Sequence, residues 1–143
     1  MPSQITRAAL AASVLSGVPS TTHALLTGTD LLAATQAAGA IVAPRASRPV
    51  QLVAAAPVHL ALSFGWTAAL ARVVPADRPL AVRVLAGMAG GAAIAALDLG
   101  VIGRRIPPVR ALAVGPQVAD HLAFGAVAAA FLTARLGTRA AAR

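Results

Sequence analysis

The sequence predicts an all-α fold: a polytopic transmembrane bundle of about four spans plus one short interfacial or re-entrant helix, forming a single membrane domain over residues 1–143. Three observations lead there. The chain is 58% hydrophobic and only 11% charged, with a mean hydropathy of +0.78, far short of the charge a soluble surface of this size carries. The charges also cluster. None falls between Arg7 and Asp30 or between Arg48 and Arg72, while Val84–Gly103 and Pro116–Ala134 hold a single acid each. Each of these four stretches reaches the ~18 residues that read as a membrane helix. Only helices satisfy their own backbone groups within one such segment.

The first span is expected over about residues 5–26. Its opening could imitate a signal peptide, with one arginine, a short apolar core and the weak site Thr22-His23-Ala24. The apolar stretch runs on to Leu26, which favours an uncleaved span interrupted by Pro19. Ser13, Ser16, Ser20, His23 and Thr27 recur at spacings of 3, 4, 3 and 4, which places them on one helical face. Such hydroxyls commonly serve as hydrogen-bond donors between membrane helices.

Thr27–Asp30 reads as a turn with Thr29 or Asp30 as a cap. Residues 31–43 are apolar but too short to cross, and Pro44, Arg45, Ser47, Arg48 and Pro49 close them off. The second span covers about 50–71, with a bend expected at Pro57. His59, Ser63 and Thr67 follow at four-residue spacing.

The third span, about 82–103, carries Gly87-x-x-x-Gly91 with Ala95 and Asp98 on the same face. Small residues at that spacing let another helix approach closely. A carboxylate in the hydrocarbon costs roughly 2.5–3.5 kcal/mol at a helix centre on insertion scales, so Asp98 belongs on the packed side. The segment from Arg104 to Val114 reads as a connector in which Pro107, Pro108 and Arg110 stop any helix. The fourth span, about 116–135, opens at Pro116. Asp120 lies early in it, where the dipole of its own helix favours a carboxylate. His121, Gly125 and Ala129 share a face.

Four crossings bring the ionisable groups together. Asp98 lies about 9 Å inside Arg104 and Asp120 about 6 Å inside Pro116, at the helical rise. His23 sits one turn from the matching end of its helix, and His59 lies deeper. His23, His59, Asp98, Asp120 and His121 therefore form an expected polar seam or proton and ligand site in one half of the bundle. Gly87, Gly91 and Gly125 are the expected helix-packing positions. Asp98 is expected to pair with His59 or His121, or to reach toward Arg105.

Other chemistries find less support. All twelve basic residues are arginines, most of them where apolar runs stop, and aromatics make up 3% of the chain. That pattern anchors helices at headgroups and lacks the stacking surface of a nucleic-acid binder. Arginine without lysine, amid so much alanine, points to a GC-rich bacterial genome. The absence of cysteine removes disulfides and thiolate metal sites. No His-Glu-x-x-His or similar metal motif, catalytic triad or phosphate loop is present. No cofactor and no catalytic residue is assigned, and an enzyme is not favoured. A metal held by the histidines and aspartates, or a haem between His23 and His121, is the weaker alternative.

The expected partner is the lipid bilayer, with no nucleic acid. A second copy or another membrane protein is an option through the small-residue faces. Arg7, Arg72, Arg78, Arg83, Arg135, Arg139 and Arg143 fall on one side, against Arg45, Arg48, Arg104, Arg105 and Arg110 on the other. The positive-inside rule then puts both termini in the cytoplasm of a bacterial inner-membrane protein.

At Gly17-Val18-Pro19-Ser20-Thr21-Thr22-His23-Ala24-Leu25, and again at Ala119-Asp120-His121-Leu122-Ala123-Phe124-Gly125, the chain resembles a group of small uncharacterised bacterial integral membrane proteins. These have about four helices and a closing Asp-His-hydrophobic-x-aromatic-Gly segment. The resemblance implies membrane residence and no particular catalysis. Two functional expectations result. One is a structural or accessory bundle whose His/Asp seam specifies packing. The other is a proton-coupled or small-solute transporter-like protein using Asp98 and His121.

Overall fold

A computed structural model describes residues 3–132. The end of the fourth expected span, 133–135, and the arginine-rich tail lie outside the described residues. Among the described residues the chain is helical, with no strand.

Helix α1 (Gln4–Leu15) starts at Ser3, whose side chain accepts the Thr6 N–H at 3.1 Å, as an N-cap should. The first span is then broken. Helix α2 (Val18–Thr27) restarts after Ser16 and Gly17, with Gly17 as N-cap and Pro19 in the opening turn. Proline was expected to interrupt a helix from within. It instead occupies a position where the missing N–H has no intrahelical partner to lose. Helix α2 ends at Gly28, whose φ of 67° is left-handed; its N–H and that of Thr29 both turn back to the Ala24 carbonyl.

Helix α3 (Ala33–Ala40) has eight residues, about 12 Å of helix. Residues 31, 32 and 41–43 fall in the turns around it rather than extending it. It folds back on α4 (Arg48–Val73), where Gly39 lies directly against the Gln51 backbone. Buried Gln51 fixes this hairpin by accepting from Gln36 Nε2 at 2.9 Å and donating to the Ala43 carbonyl at 3.1 Å. Pro57 lies inside α4 without ending it.

Helix α5 (Leu80–Leu97) runs into a π-helical turn, Asp98–Ile102, and then a 3₁₀ turn, Gly103–Arg105. The connector that follows was expected to be non-helical. Its two prolines instead open a one-turn helix, α6 (Pro107–Arg110), because proline is pre-set for a first turn. Helix α7 (Val114–Phe131) completes the described chain.

Three helical stretches are long and apolar enough to cross a membrane: Gln4–Thr27, Arg48–Val73 and Leu80–Arg105. Helix α7 is not among them over its described length. The outer surface carries many large apolar side chains. Val14, Leu26 and Val53 are at least three-quarters exposed, while the interior is largely alanine, and Thr67 is the largest fully buried side chain. Lipid gives helices no hydrophobic reason to associate, so close contact through small residues must hold them.

That contact is strongest between α5 and α7. A Cβ on Gly87 or Gly125 would run into the other's backbone, and one on Gly91 would strike the His121 carbonyl. Gly87 opposite Gly125 and Gly91 opposite His121 is an antiparallel register. The small-residue face of α5 is thus occupied within the chain.

Candidate functional site: a polar cavity between the helices

Alongside the glycine contact, toward the N-terminal part of α7, a cavity of about 740 Å³ lies between the helices. Volumes of about 300–1,000 Å³ are typical of small-molecule sites. His23, His59, Asp98, Asp120 and His121 all line it, contributed by α2, α4, the π turn and α7. Most of the remaining wall is apolar, including Leu52, Leu62, Ile94, Ile102 and Phe124.

Asp98 is the centre of the polar set. The π turn begins at this residue, and such local changes of winding are frequent at functional positions. The Trp66 indole Nε1–H donates to Asp98 Oδ2 at 3.2 Å, and His121 Nε2 lies 3.5 Å from the same oxygen. Asp98 therefore reaches α4 and α7 together. Of the partners expected from sequence, it pairs with His121 rather than His59 or Arg105.

The histidine's other nitrogen fixes the protonation logic. His121 Nδ1 lies 2.7 Å from the Gln117 carbonyl. A carbonyl only accepts, so Nδ1 carries a hydrogen. In a neutral imidazole Nε2 would then present a lone pair to the carboxylate. The pair is attractive only with one more proton held between Nε2 and Asp98.

Asp120 has a different partner from the one expected. Because α7 starts at Val114, Asp120 is beyond the first turn, out of reach of its own helix's free amides. Its Oδ1 instead accepts the Ser20 N–H at 2.9 Å. Ser20 is in the first turn of α2, so a carboxylate from α7 caps the helix that restarts at the Gly17 break. An anion is favoured at such an N-terminus.

His59 is exposed, and its Nε2 donates to the Ser13 carbonyl at 2.9 Å, joining α4 to α1. His23 is half-buried in the cavity wall. The hydroxyl stripe, expected to link helices, largely serves its own segment. Ser13, Ser20 and Thr27 donate to the carbonyls of Leu10, Gly17 and His23. Such back-bonding is local to the helix.

Trp66 was not among the residues singled out from sequence. It is the chain's one tryptophan and lies seven residues after His59, the same helical face; that spacing was the available signal. Among the described residues no three His or Asp side chains gather closely enough to hold a metal ion.

At the cavity mouth, Asp30 accepts the Leu32 N–H at 2.9 Å and pairs with Arg48 at 2.6 Å. The Leu32 amide, followed by Arg48, holds its carboxyl below the usual range.

No family model matches this chain, and neither the curated proteins nor the solved structures contain a match to it.

Proposed function

We propose that this is a small multi-pass membrane protein, resident in a bacterial inner membrane, that binds a small solute in its cavity and exchanges a proton at Asp98 and His121. The observation that carries this reading is the approach of His121 Nε2 to within 3.5 Å of Asp98 Oδ2 on the wall of a ligand-sized space. A carboxylate within a membrane segment is expensive and is retained chiefly where it lines a cavity or a pathway. In this reading α7 is the fourth crossing, both termini are cytoplasmic, and kinship with the small bacterial membrane proteins it resembles follows from the Gly17–Leu25 and Ala119–Gly125 segments.

Trp66 reports directly on the site because its N–H is bonded to Asp98. In lipid nanodiscs its fluorescence should show a pH-dependent step that disappears in both Asp98→Asn and His121→Gln, while thermal stability changes little. A step that survives both substitutions removes the proton-exchange reading. One specific observation favours a second reading, a purely structural or accessory bundle. Four of the five polar side chains tie separate helices: Asp98 to Trp66 and His121, Asp120 to Ser20, His59 to Ser13. A featureless titration together with a large loss of stability in Asp98→Asn would select it.

The four-crossing topology has its own test, since the chain has no cysteine. Single cysteines at Ser47 and Asp77 should label from opposite sides of sealed vesicles. Labelling of both from one side excludes the arrangement.

A further inference from the structure

The charge lining the cavity is opposite to that of the protein. The chain carries twelve arginines and four acids, a net charge of +8. Yet Asp30, Asp98 and Asp120 line the cavity, and no arginine does among the described residues. Asp30 is matched by Arg48 at the mouth. That leaves Asp98 and Asp120 inside, facing only the titratable imidazoles of His23, His59 and His121. The formal charge of the lining is negative, and beside apolar walls that charge acts over longer distances than in water.

The rest of the wall defines the body of the ligand. Apolar side chains make up most of the surface, Phe124 among them, and the Trp66 indole bonds the Asp98 carboxylate through its N–H edge. A hydrated metal ion would leave this surface uncovered, and an anion would meet two carboxylates. A cation carrying an aliphatic or aromatic body satisfies both halves, and aromatic faces add attraction for a cation. We infer that the cavity admits an apolar-bodied monovalent organic cation, whose charge replaces the proton held between Asp98 and His121. One proton leaves as one cation enters, so the exchange is electrically balanced.

This inference rests on the solute-binding reading above, and an isosteric pair of ions separates the two. Tetraphenylphosphonium and tetraphenylborate share size and shape and differ in charge sign. In nanodiscs of zwitterionic lipid, phosphonium should quench Trp66 saturably. Its affinity should rise with pH by up to tenfold per unit, the limit for one displaced proton. Borate should give only the non-saturable response of partition into lipid. Asp98→Asn should weaken phosphonium binding at least tenfold and remove the pH dependence. Asp120→Asn should weaken it less and keep the dependence, and it carries the test if Asp98→Asn fails to fold by circular dichroism.

Saturable binding of borate as tight as that of phosphonium overturns the cation inference and leaves a solute site standing. Phosphonium affinity that ignores pH overturns the exchange. No saturable response to either ion overturns the inference, and the Trp66 pH step then decides separately whether the proton-exchange reading survives.

Discussion

The two halves of α7 solve the same problem in opposite ways. From Phe124 to Ala129 the helix buries Phe124, Gly125, Ala128 and Ala129 and lies directly on α5 at Gly87. From Gln117 to His121 its side chains carry the polar groups that line a cavity, while its backbone still meets Gly91 at His121. Both halves hold α7 against its neighbours. The first does so by removing side chains until main chains touch. The second does so with a few hydrogen bonds spanning a gap. Stability should therefore reside mainly at the glycine end, leaving the polar end free to rearrange with a proton or ligand.

The sharpest way to break that division is Gly125→Leu. A Cβ there would already meet the Gly87 carbonyl carbon at 2.7 Å and the Gly91 nitrogen at 3.0 Å. Overpacking a core usually costs about 1–3 kcal/mol when side chains can move aside. Here the obstacle is backbone, so the loss should reach or exceed the top of that range and reduce folded protein in detergent. Gly65→Ala is the control, because nothing lies within 4 Å of its Cβ position. It should be neutral or stabilise α4 by about 0.5–1 kcal/mol. Equal losses at both sites would mean that glycine content, not the close contact, sets stability.

A smaller effect is expected at the polar end. His59→Ala removes one exposed hydrogen bond to the Ser13 carbonyl, a contribution of about 0.5–1.5 kcal/mol. Thermal unfolding of the purified variant should show a modest shift. If His59→Ala is as damaging as Gly125→Leu, the cavity side is a structural keystone and the contrast between the halves of α7 fails.

How far the sequence reveals this division depends on the range of each interaction. Span positions follow from gaps in the charge pattern, a property of local composition, and three of the helical stretches are long and apolar enough to cross. The spacing of Gly87 and Gly91 marks a close-packing face without identifying what meets it. Equal depth suggested His121 as a partner for Asp98, yet Trp66 escaped notice because an indole in an apolar helix carries no polar signature. The Asp120 cap on Ser20 joins residues 100 apart in the chain, and no local pattern encodes it. The break at Gly17 and the helical turn at Pro107 share one cause: proline interrupts or stops a helix by composition, but in a first turn it opens one.

The smallest predicted effect lies outside both halves, at Asp30, and shows that the cavity mouth is fixed separately from its interior. Asp30 holds the turn before α3 through the Leu32 amide and ties it to Arg48 at the start of α4. Its pKa is lowered in the folded protein. Such a group adds stability above its unfolded pKa, and that contribution is lost as the pH falls through the lower, folded value. Wild-type protein should therefore lose slightly more thermal stability than Asp30→Asn between neutral pH and the acid side of the carboxylate range. The difference should be small, since an exposed pair gains little from charge alone. High salt should leave most of it in place, because the Leu32 amide is the larger cause and a backbone hydrogen bond is screened less than an exposed ion pair. If salt abolishes the difference, Arg48 rather than the turn holds the carboxylate. The mouth would then loosen with ionic strength while the glycine contact of α7 stays shut.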